Sequence, residues 1–281
     1  RIYNIDLSAA QDDMVSGRRN VDSDAVFVVS GASRGMGLQF TKDLLLRTSG
    51  TIVACCRTPD QAEELARVAD GSSGRVLVLP LDVTDQTSIA NMAKEIETTY
   101  HGRVDALYNI AGILGDPGPS GPERNIAGMN KSWFEQNLAV NTIGPMMVTQ
   151  ALAPMMQTKR GKKYVKDKTA ESVVVNMSAR VGSIADNQGG LGWHSYRISK
   201  AALNMGTRIL GHELKRQGVW TVALYPGFTD TDLSKPFQKG VKPDKIFPVD
   251  FTVGRMIDVV DGMEEKHSGG LYDWAGQALP F

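Results

Sequence analysis

A tyrosine and a lysine four residues apart can do acid–base chemistry that neither does alone. Tyr196 and Lys200 stand in the run His194-Ser195-Tyr196-Arg197-Ile198-Ser199-Lys200-Ala201-Ala202-Leu203. On a helix they share a face, which brings an ammonium beside a phenol. A free phenol has a pKa of about 10, too high for proton transfer near neutrality. A unit charge roughly 4 Å away is worth about 4 kcal/mol at an effective dielectric of about 20. At about 1.4 kcal/mol per pKa unit, that is enough to bring the phenol toward pH 7. A phenol so poised protonates an alkoxide or deprotonates an alcohol. On an exposed helix the same pair is only a solvated face. The elements that would position it decide between the two.

Ala25-Val26-Phe27-Val28-Val29-Ser30 reads as a buried parallel strand. It runs into Gly31-Ala32-Ser33-Arg34-Gly35-Met36-Gly37, and then into a stretch from Leu38 with helical spacing of apolar residues. Strand, glycine turn and helix are the context of a dinucleotide site. The glycines allow close backbone approach to a pyrophosphate, and the helix N-terminus offers free N–H groups. The spacing here is G-x-x-x-G-x-G. The next strand, Thr51-Ile52-Val53-Ala54-Cys55-Cys56, ends where a carboxylate would bind the ribose 2′-hydroxyl of NAD. Cys56 and Arg57 occupy that place, and Arg34 lies in the glycine turn. Two cations without a carboxylate favour the 2′-phosphate of NADP.

Further strands are expected at 75–81, ending in Asp82-Val83, and at 104–108, ending in Asn109-Ile110-Ala111-Gly112. Ser172-Val173-Val174-Val175-Asn176-Met177 reads as a fifth, and Gly270 to Trp274 as the last. Helices are expected near 62–69, 88–100 and 251–263. The alternation implies a right-handed, doubly wound parallel sheet.

Together these residues resemble the short-chain dehydrogenase/reductases, from about Ala25 to the C-terminus. The glycine turn, Asp82-Val83, Asn109-x-Ala111-Gly112, Asn141, Tyr196-x-x-x-Lys200 and Pro226-Gly227 occur in that family's order. The resemblance implies a single Rossmann-type domain over 25–281, an α/β fold with helices on both faces of the sheet. It also implies roles. Gly31, Ser33, Arg34, Met36 and Gly37 would hold the phosphates, Asp82 and Val83 would flank the adenine, and Asn109, Ala111 and Gly112 would line a ribose. Tyr196 would be the acid/base. Lys200 would bind the nicotinamide ribose and lower the Tyr196 pKa. Asn141 would hold a water for proton resupply. Pro226, Gly227, Thr229 and Thr231 would meet the nicotinamide.

One departure concerns the serine that steadies the substrate oxygen in this family. The usual pattern is Ser-Ser-x-x-Gly, with the second serine catalytic, but here the run is Ser178-Ala179-Arg180-Val181-Gly182-Ser183. Ala179 takes the catalytic place, which leaves Ser183, then Ser178, as candidates, or Tyr196 acting alone. Losing one such donor costs about 10²–10³ in rate. Gly182-Ser183-Ile184-Ala185-Asp186-Asn187 and the run from Tyr196 to Asn204 are similar to the branch containing the insect carbonyl reductase Sniffer and the bacterial C-factor. That branch implies NADPH-dependent reduction of a ketone or aldehyde.

The chain has 281 residues, room for one α/β domain with a large core. With 31 basic and 31 acidic residues it carries no net charge, which argues against a nucleic-acid footprint. No apolar run approaches the roughly 20 residues of a membrane span. The two cysteines, adjacent at a strand end, point to a reducing compartment, and the four histidines show no metal-ligand spacing. The expectation is a soluble intracellular protein. Starting at Arg1, it fits cytoplasm, or an organelle after loss of a transit peptide, with residues 1–24 a polar arm. The basic cluster Lys159-Arg160-Gly161-Lys162-Lys163 is expected far from the site, and the turn-rich loop 115–122 at its mouth.

Ligands of open α/β sheets bind beyond the carboxyl ends of the strands. That makes Ile113, Leu114, Arg180, Val181, Trp193, His194, Phe228 and Phe237 the candidate wall of a pocket for an apolar or aromatic carbonyl compound. Residues 233–248, rich in proline and lysine, read as a substrate lid. The family commonly forms dimers or tetramers through the helix carrying Tyr196, which offers Ala201, Ala202, Met205 and Ile209. Two rival functions use the same sequence. One is NAD-dependent oxidation of an alcohol, which Arg34 and Arg57 oppose. The other is a non-catalytic dinucleotide sensor or interaction protein, which Ala179 favours and Asn141, Tyr196 and Lys200 oppose.

Overall fold

Successive residues of the first strand, β1 (Val26–Ser30), face opposite sides of one sheet. Phe27 and Val29 pack with Phe40, Leu44, Met256 and Val260. Val26 and Val28 pack with Ile89, Met92, Val148 and Leu152. Because both faces are covered, all five residues are buried, and the strand reads as an unbroken apolar run. The structure, a computed structural model, describes residues 3–8, 15–115, 122–158, 168, 170–190 and 192–281.

The other strands are β2 (Thr51–Cys56), β3 (Val76–Pro80), β4 (Ala106–Asn109), β5 (Ser172–Met177), β6 (Val219–Tyr225), β7 (Gly270–Asp273) and β8 (Ala278–Leu279). Their order in the sheet is β3-β2-β1-β4-β5-β6-β7-β8. β1 to β7 are parallel, as expected. The order reverses between β1 and β4, and a crevice opens at their carboxyl ends. β8 runs antiparallel to β7, which the sequence pattern did not indicate. Two residues are too few for a period-two signal. The turn before β8 is made by Asp273, whose Oδ1 accepts from the backbone N–H groups of Ala275 and Gln277.

On one face lie α1 (Val15–Val21), α2 (Gly35–Arg47), α3 (Glu63–Asp70) and α8 (Val249–Asp261). On the other lie α4 (Gln86–Thr99), α6 (Gly144–Met156) and α7 (His194–Glu213), with α5 (Lys131–Leu138) packed on α7. α4 starts two residues earlier than the apolar spacing suggests, because the Asp85 carboxylate caps the N–H groups of Thr87 and Ser88.

Where it is described, the segment expected to be a polar arm is part of the fold. Ile5 is buried, and its N–H donates to Gly276 O at 2.8 Å. α1 docks on α8 through Ser16, whose hydroxyl donates to Asp261 O, and Arg19, 3.7 Å from the Asp261 carboxylate. Three polar ties between chain ends were invisible as a local pattern. The basic cluster at 159–163 lies outside the described residues, as does the tip of the loop at 116–121.

At the amino ends of the strands, opposite the crevice, the buried Asp105 accepts from Val26 N (2.9 Å) and Arg103 Nε (2.8 Å). Arg103 also reaches Asp22, and Lys168 Nζ lies 4.0 Å from Asp105. Removing the carboxylate leaves buried Lys168 without its counterion, Arg103 with Asp22 alone, and Val26 N without its acceptor. Asp105→Ala is expected to lower the unfolding free energy by about 3 kcal/mol in urea titrations. A loss below about 1 kcal/mol would show that this network does not hold the strand ends.

Candidate active site

The chain leaves β1 through Gly31, at φ 71°, and turns into α2 at Gly35, at φ 54°. A side chain on Gly37 would stand 2.1 Å from Gly31 O, so the first turn of the helix lies directly on the glycine turn. Arg34 is the N-cap in an extended conformation, and no side chain caps the helix. Its first N–H groups therefore face outward, where an anion would satisfy them. Here a cleft of about 1100 Å³ opens. Gly31, Ser33, Arg34, Met36 and Gly37 line it, with Arg57, Asp82, Val83, Ala111, Gly112 and Thr231. Arg34 and Arg57 are exposed, and neither forms a salt bridge among the described residues. Hydrogen bonds from Thr84 hold the Asp82 carboxyl below its ordinary range, and the Arg57 charge adds to this. Uncapped N–H groups, a glycine cradle and two unpaired cations fit an extended anionic dinucleotide.

Four of the expected cofactor residues stand behind the wall. Asn109 is buried, and its Nδ2 donates to Asn176 Oδ1 (2.9 Å) and Thr149 Oγ1 (3.3 Å). Its side chain ties β4 to β5 and α6 instead of lining the ribose, because the last residue of β4 points into the sheet's covered face. The Thr229 hydroxyl is buried against Pro226 O and Thr252 Oγ1. Pro226 and Gly227 lie outside the lining, with Gly227 packed on Phe247 and Trp274.

α7 brings Tyr196 and Lys200 together, with Lys200 Nζ 5.6 Å from the centre of the Tyr196 ring. The ammonium donates to Met177 O, at the end of β5, at 2.7 Å. Burial pushes Lys200 down to about 7. The Tyr196 hydroxyl is enclosed, although the residue keeps part of its surface exposed. Enclosure, and then the neighbouring Tyr225, raise its pKa above that of an ordinary phenol. This corrects the expected depression: the lysine's hydrogen bond goes to β5, and burial of the phenol raises its pKa. At neutral pH the phenol is protonated, ready to give a proton.

Lys200 adjoins the cleft behind Gly112, whereas Tyr196 stands behind Trp193 and is not itself on the cleft lining. A side chain on Gly112 would stand 3.3 Å from Asn141 Oδ1 and 3.8 Å from Lys200 Nζ. Asn141 sits in a π-helical turn, Ala139–Ile143, between α5 and α6. Its amide mimics a strand pair with Ile113, donating to Ile113 O and accepting from Ile113 N, both at 2.9 Å. It also donates to Ser199 Oγ on α7, at 3.1 Å. The asparagine clamps the loop after β4 to the helix that carries Tyr196.

After β5, Ala179 is the N-cap of a short turn, Arg180–Gly182. Gly182 lies against α7, where a side chain would come within 2.7 Å of Lys200 Cβ. Ser178 donates its hydroxyl to Asn204 Oδ1 at 2.5 Å, so that proton is committed. The Ser183 hydroxyl oxygen accepts from Asp186 N at 3.1 Å, which leaves its proton to donate elsewhere.

On the substrate side, Ile113, Leu114, Trp193 and Phe237 line the cleft as expected, with Leu233 and Pro236 from the segment read as a lid. Arg180, Val181 and Phe228 do not, and Arg180 is turned away and paired with Asp186. Trp193 stands in front of Tyr196, edge to face at 6.3 Å between ring centres, and packs on Phe237 at 5.2 Å. Trp193 has φ 55°, a strained left-handed conformation for a large side chain. Glu123 holds that turn, a residue with no signal in the sequence. Only 6% exposed, it accepts from the Ser195 hydroxyl, and its backbone carbonyl accepts from Trp193 N.

A short chain dehydrogenase family model matches residues 25–242. The chain belongs to the short chain dehydrogenase family. It is accordingly an oxidoreductase with a Rossmann-type sheet. Among curated relatives, the C-signal protein of Myxococcus xanthus is 32% identical over 64% of this chain and 94% of its own length. Among solved structures, NADPH-bound carbonyl reductase from chicken fatty liver superposes with a TM-score of 0.80 at 30% identity, covering 93% of this chain and all of that one. The carbonyl reductase Sniffer of D. melanogaster has a TM-score of 0.78 at 26% identity, covering 92% of this chain and all of its own. No helix among the described residues is long and apolar enough to cross a membrane.

The lowered Lys200 has a consequence for stability. Folded, it releases its proton near pH 7, whereas unfolded it does so near 10.5. Between those values the unfolded chain binds more protons, so unfolding free energy rises with pH. Lys168, pushed down by burial to about 8, adds to the rise at its upper end. In urea titrations without added dinucleotide, stability is expected to climb from pH 7 to about 9.5. Lys200→Met should flatten the climb and move its onset toward pH 8, where Lys168 begins to contribute. Superimposable curves for the two proteins would remove Lys200 from the account.

Proposed function

We propose that the protein reduces a ketone or aldehyde with NADPH, Tyr196 acting as the general acid. The Tyr196–Lys200 pair beside a dinucleotide cleft carries this reading, and the phenol, raised by enclosure, is in the protonated form that reduction uses. Arg34 and Arg57 in the cleft, with Cys56 in place of a carboxylate at the end of β2, favour a 2′-phosphate over a bare ribose hydroxyl. The likeness to an NADPH-bound carbonyl reductase and to Sniffer agrees.

NADPH bound there would supply the hydride. The chain's own residues do the rest. The glycine turn and the first N–H groups of α2 hold the phosphates, Asp82 and Val83 border the adenine, and Ala111 and Gly112 the ribose. Lys200 lies behind Gly112, where it would hold the second ribose and offer a positive field to a forming phenolate. Asn141 fixes Ile113 and α7 in relation to each other. Ser183, whose hydroxyl proton is uncommitted, steadies the substrate oxygen in the place of Ala179. Trp193, Phe237 and Leu233 exclude water. A second copy of the chain docks on α7, where Ile198, Met205 and Ile209 are exposed beside Ile143. The buried, unpaired Cys55 and Cys56 fit a reducing compartment, cytoplasm or organelle.

A sensor without catalysis would keep dinucleotide binding and lack turnover, and Ala179 is the feature that favours it. Calorimetry with NADPH and NADH, followed by turnover assays on carbonyl compounds, separates the readings. NADPH should bind more tightly than NADH, and Arg34→Ala and Arg57→Ala should each weaken NADPH binding about tenfold or more. Tyr196→Phe should bind NADPH as the parent does and lose turnover. Full activity in that variant would remove Tyr196 from the mechanism, and a preference for NADH would overturn the cofactor assignment.

Between the serines, Ser183→Ala is expected to lower kcat by about 10²–10³. Ser178→Ala, which breaks only the bond to Asn204, should leave kcat close to the parent's. The reverse ranking would transfer the role to Ser178.

A further inference from the structure

A second cavity, of about 450 Å³, opens beside the main cleft. Arg124, Arg197 and His194 line it, with Asn125 and Asn187, and none of its lining residues among those described is acidic. Arg124 lines both cavities. It is exposed, and no hydrogen bond or ion pair among the described residues engages its guanidinium. Arg197 is held in place, Nε donating to Val181 O (3.3 Å) and Nη2 to Asn187 Oδ1 (2.5 Å). His194 Nδ1 is buried without a partner among the described residues. Two carboxylates that flank its lining residues in sequence are occupied, Glu123 with the Ser195 hydroxyl and Asp186 with Arg180. The pocket thus gathers donors and positive charge with no acidic lining residue among those described to balance them.

Its position ties it to the reaction. Arg197 follows Tyr196 in the chain. Trp193, on the main cleft, and His194, on the second cavity, are neighbours, so a single turn of backbone separates the two spaces. Near Tyr196 the wall of the main cleft is apolar or aromatic at Ile113, Leu114, Trp193 and Phe237, with Gln136, Thr231 and Asp232 elsewhere on its lining. A planar guanidinium at the edge of such a wall matches an oxyanion in geometry as well as charge.

We infer that this pocket receives an anionic group of the substrate, with Arg124 as the residue that selects it. The substrate is then a carbonyl compound with an apolar body and a carboxylate or similar oxyanion at the end remote from the reacting carbon. This rests on the carbonyl-reductase reading above.

The test compares 4-formylbenzoate with its methyl ester, a pair that differs only in charge at the far end, using saturating NADPH. The parent should favour the carboxylate in kcat/KM by about tenfold, mainly through KM. Arg124→Gln should bring the two values together, and Arg124→Glu should reverse the preference. Thermal melts on each variant show that the fold is retained. Equal kcat/KM for both aldehydes in the parent, or proportionate losses for both in Arg124→Gln, would overturn the assignment. If free acetate at millimolar concentration instead raises ester turnover, the pocket takes a separate anion and the substrate inference fails. Reduction of neither aldehyde while NADPH binds would count against the carbonyl-reductase reading itself, and this inference would fall with it.

Discussion

A lysine that must sit in the protein interior, at the carboxyl end of β5, sets the terms for the rest of the site. Desolvation disfavours its ammonium, and the hydrogen bond to Met177 O offsets only part of that cost. The location is possible because Gly182 lets the turn after β5 lie directly on α7 at Lys200. Gly112, lacking a side chain, opens the same lysine toward the cleft. Asn141 then locks the loop after β4 to α7 through Ile113 and Ser199. Three chain segments, distant in sequence, are fixed around one nitrogen, and Tyr196 is carried along one helical turn away.

The acid–base properties follow from this enclosure. The phenol is enclosed, and burial, with the neighbouring Tyr225, raises its pKa. A site with these properties is biased toward giving a proton. It holds a neutral acid and an amine whose own charge is lightly held. When negative charge develops on the phenol oxygen, the nearby lysine gains more by being protonated. On the proposed reading, the lysine's charge would be called upon as the phenol gave its proton up.

The fold was largely legible in the sequence, for a clear physical reason. A parallel sheet covered on both faces forces unbroken apolar strands, and the glycine turn and Tyr196–Lys200 spacing are local patterns. What was hidden depends on contacts between distant segments. Asp273 makes the turn into β8 and Ile5 docks on Gly276 without any period in the surrounding residues. Asn109 looked like a ribose contact because it ends a strand beside the cleft, yet its side chain faces Asn176 and Thr149. The pKa of Tyr196 was misjudged because spacing reports proximity and says nothing of desolvation. Arg180 was placed in the wall by its position after β5, whereas Asp186 draws it away. Glu123 and Arg124 follow a loop rich in proline and glycine, and nothing local marks them.

Those two adjacent residues divide the work at the cleft's outer end. Glu123 points inward, and its carboxylate and carbonyl hold Ser195 and Trp193, the residues on which the start of α7 turns. Arg124 points outward, into the space between the two cavities. Strain at Trp193 is kept up by Glu123 on one side and by Phe237 on the other. Since Phe237 belongs to the segment 233–248, movement of that segment changes what supports the Trp193 ring, and so the cover over Tyr196. On the proposed reading, access to the acid and recognition of the substrate's far end would both depend on one short stretch, Pro122 to Asn125, through opposite faces of the same turn.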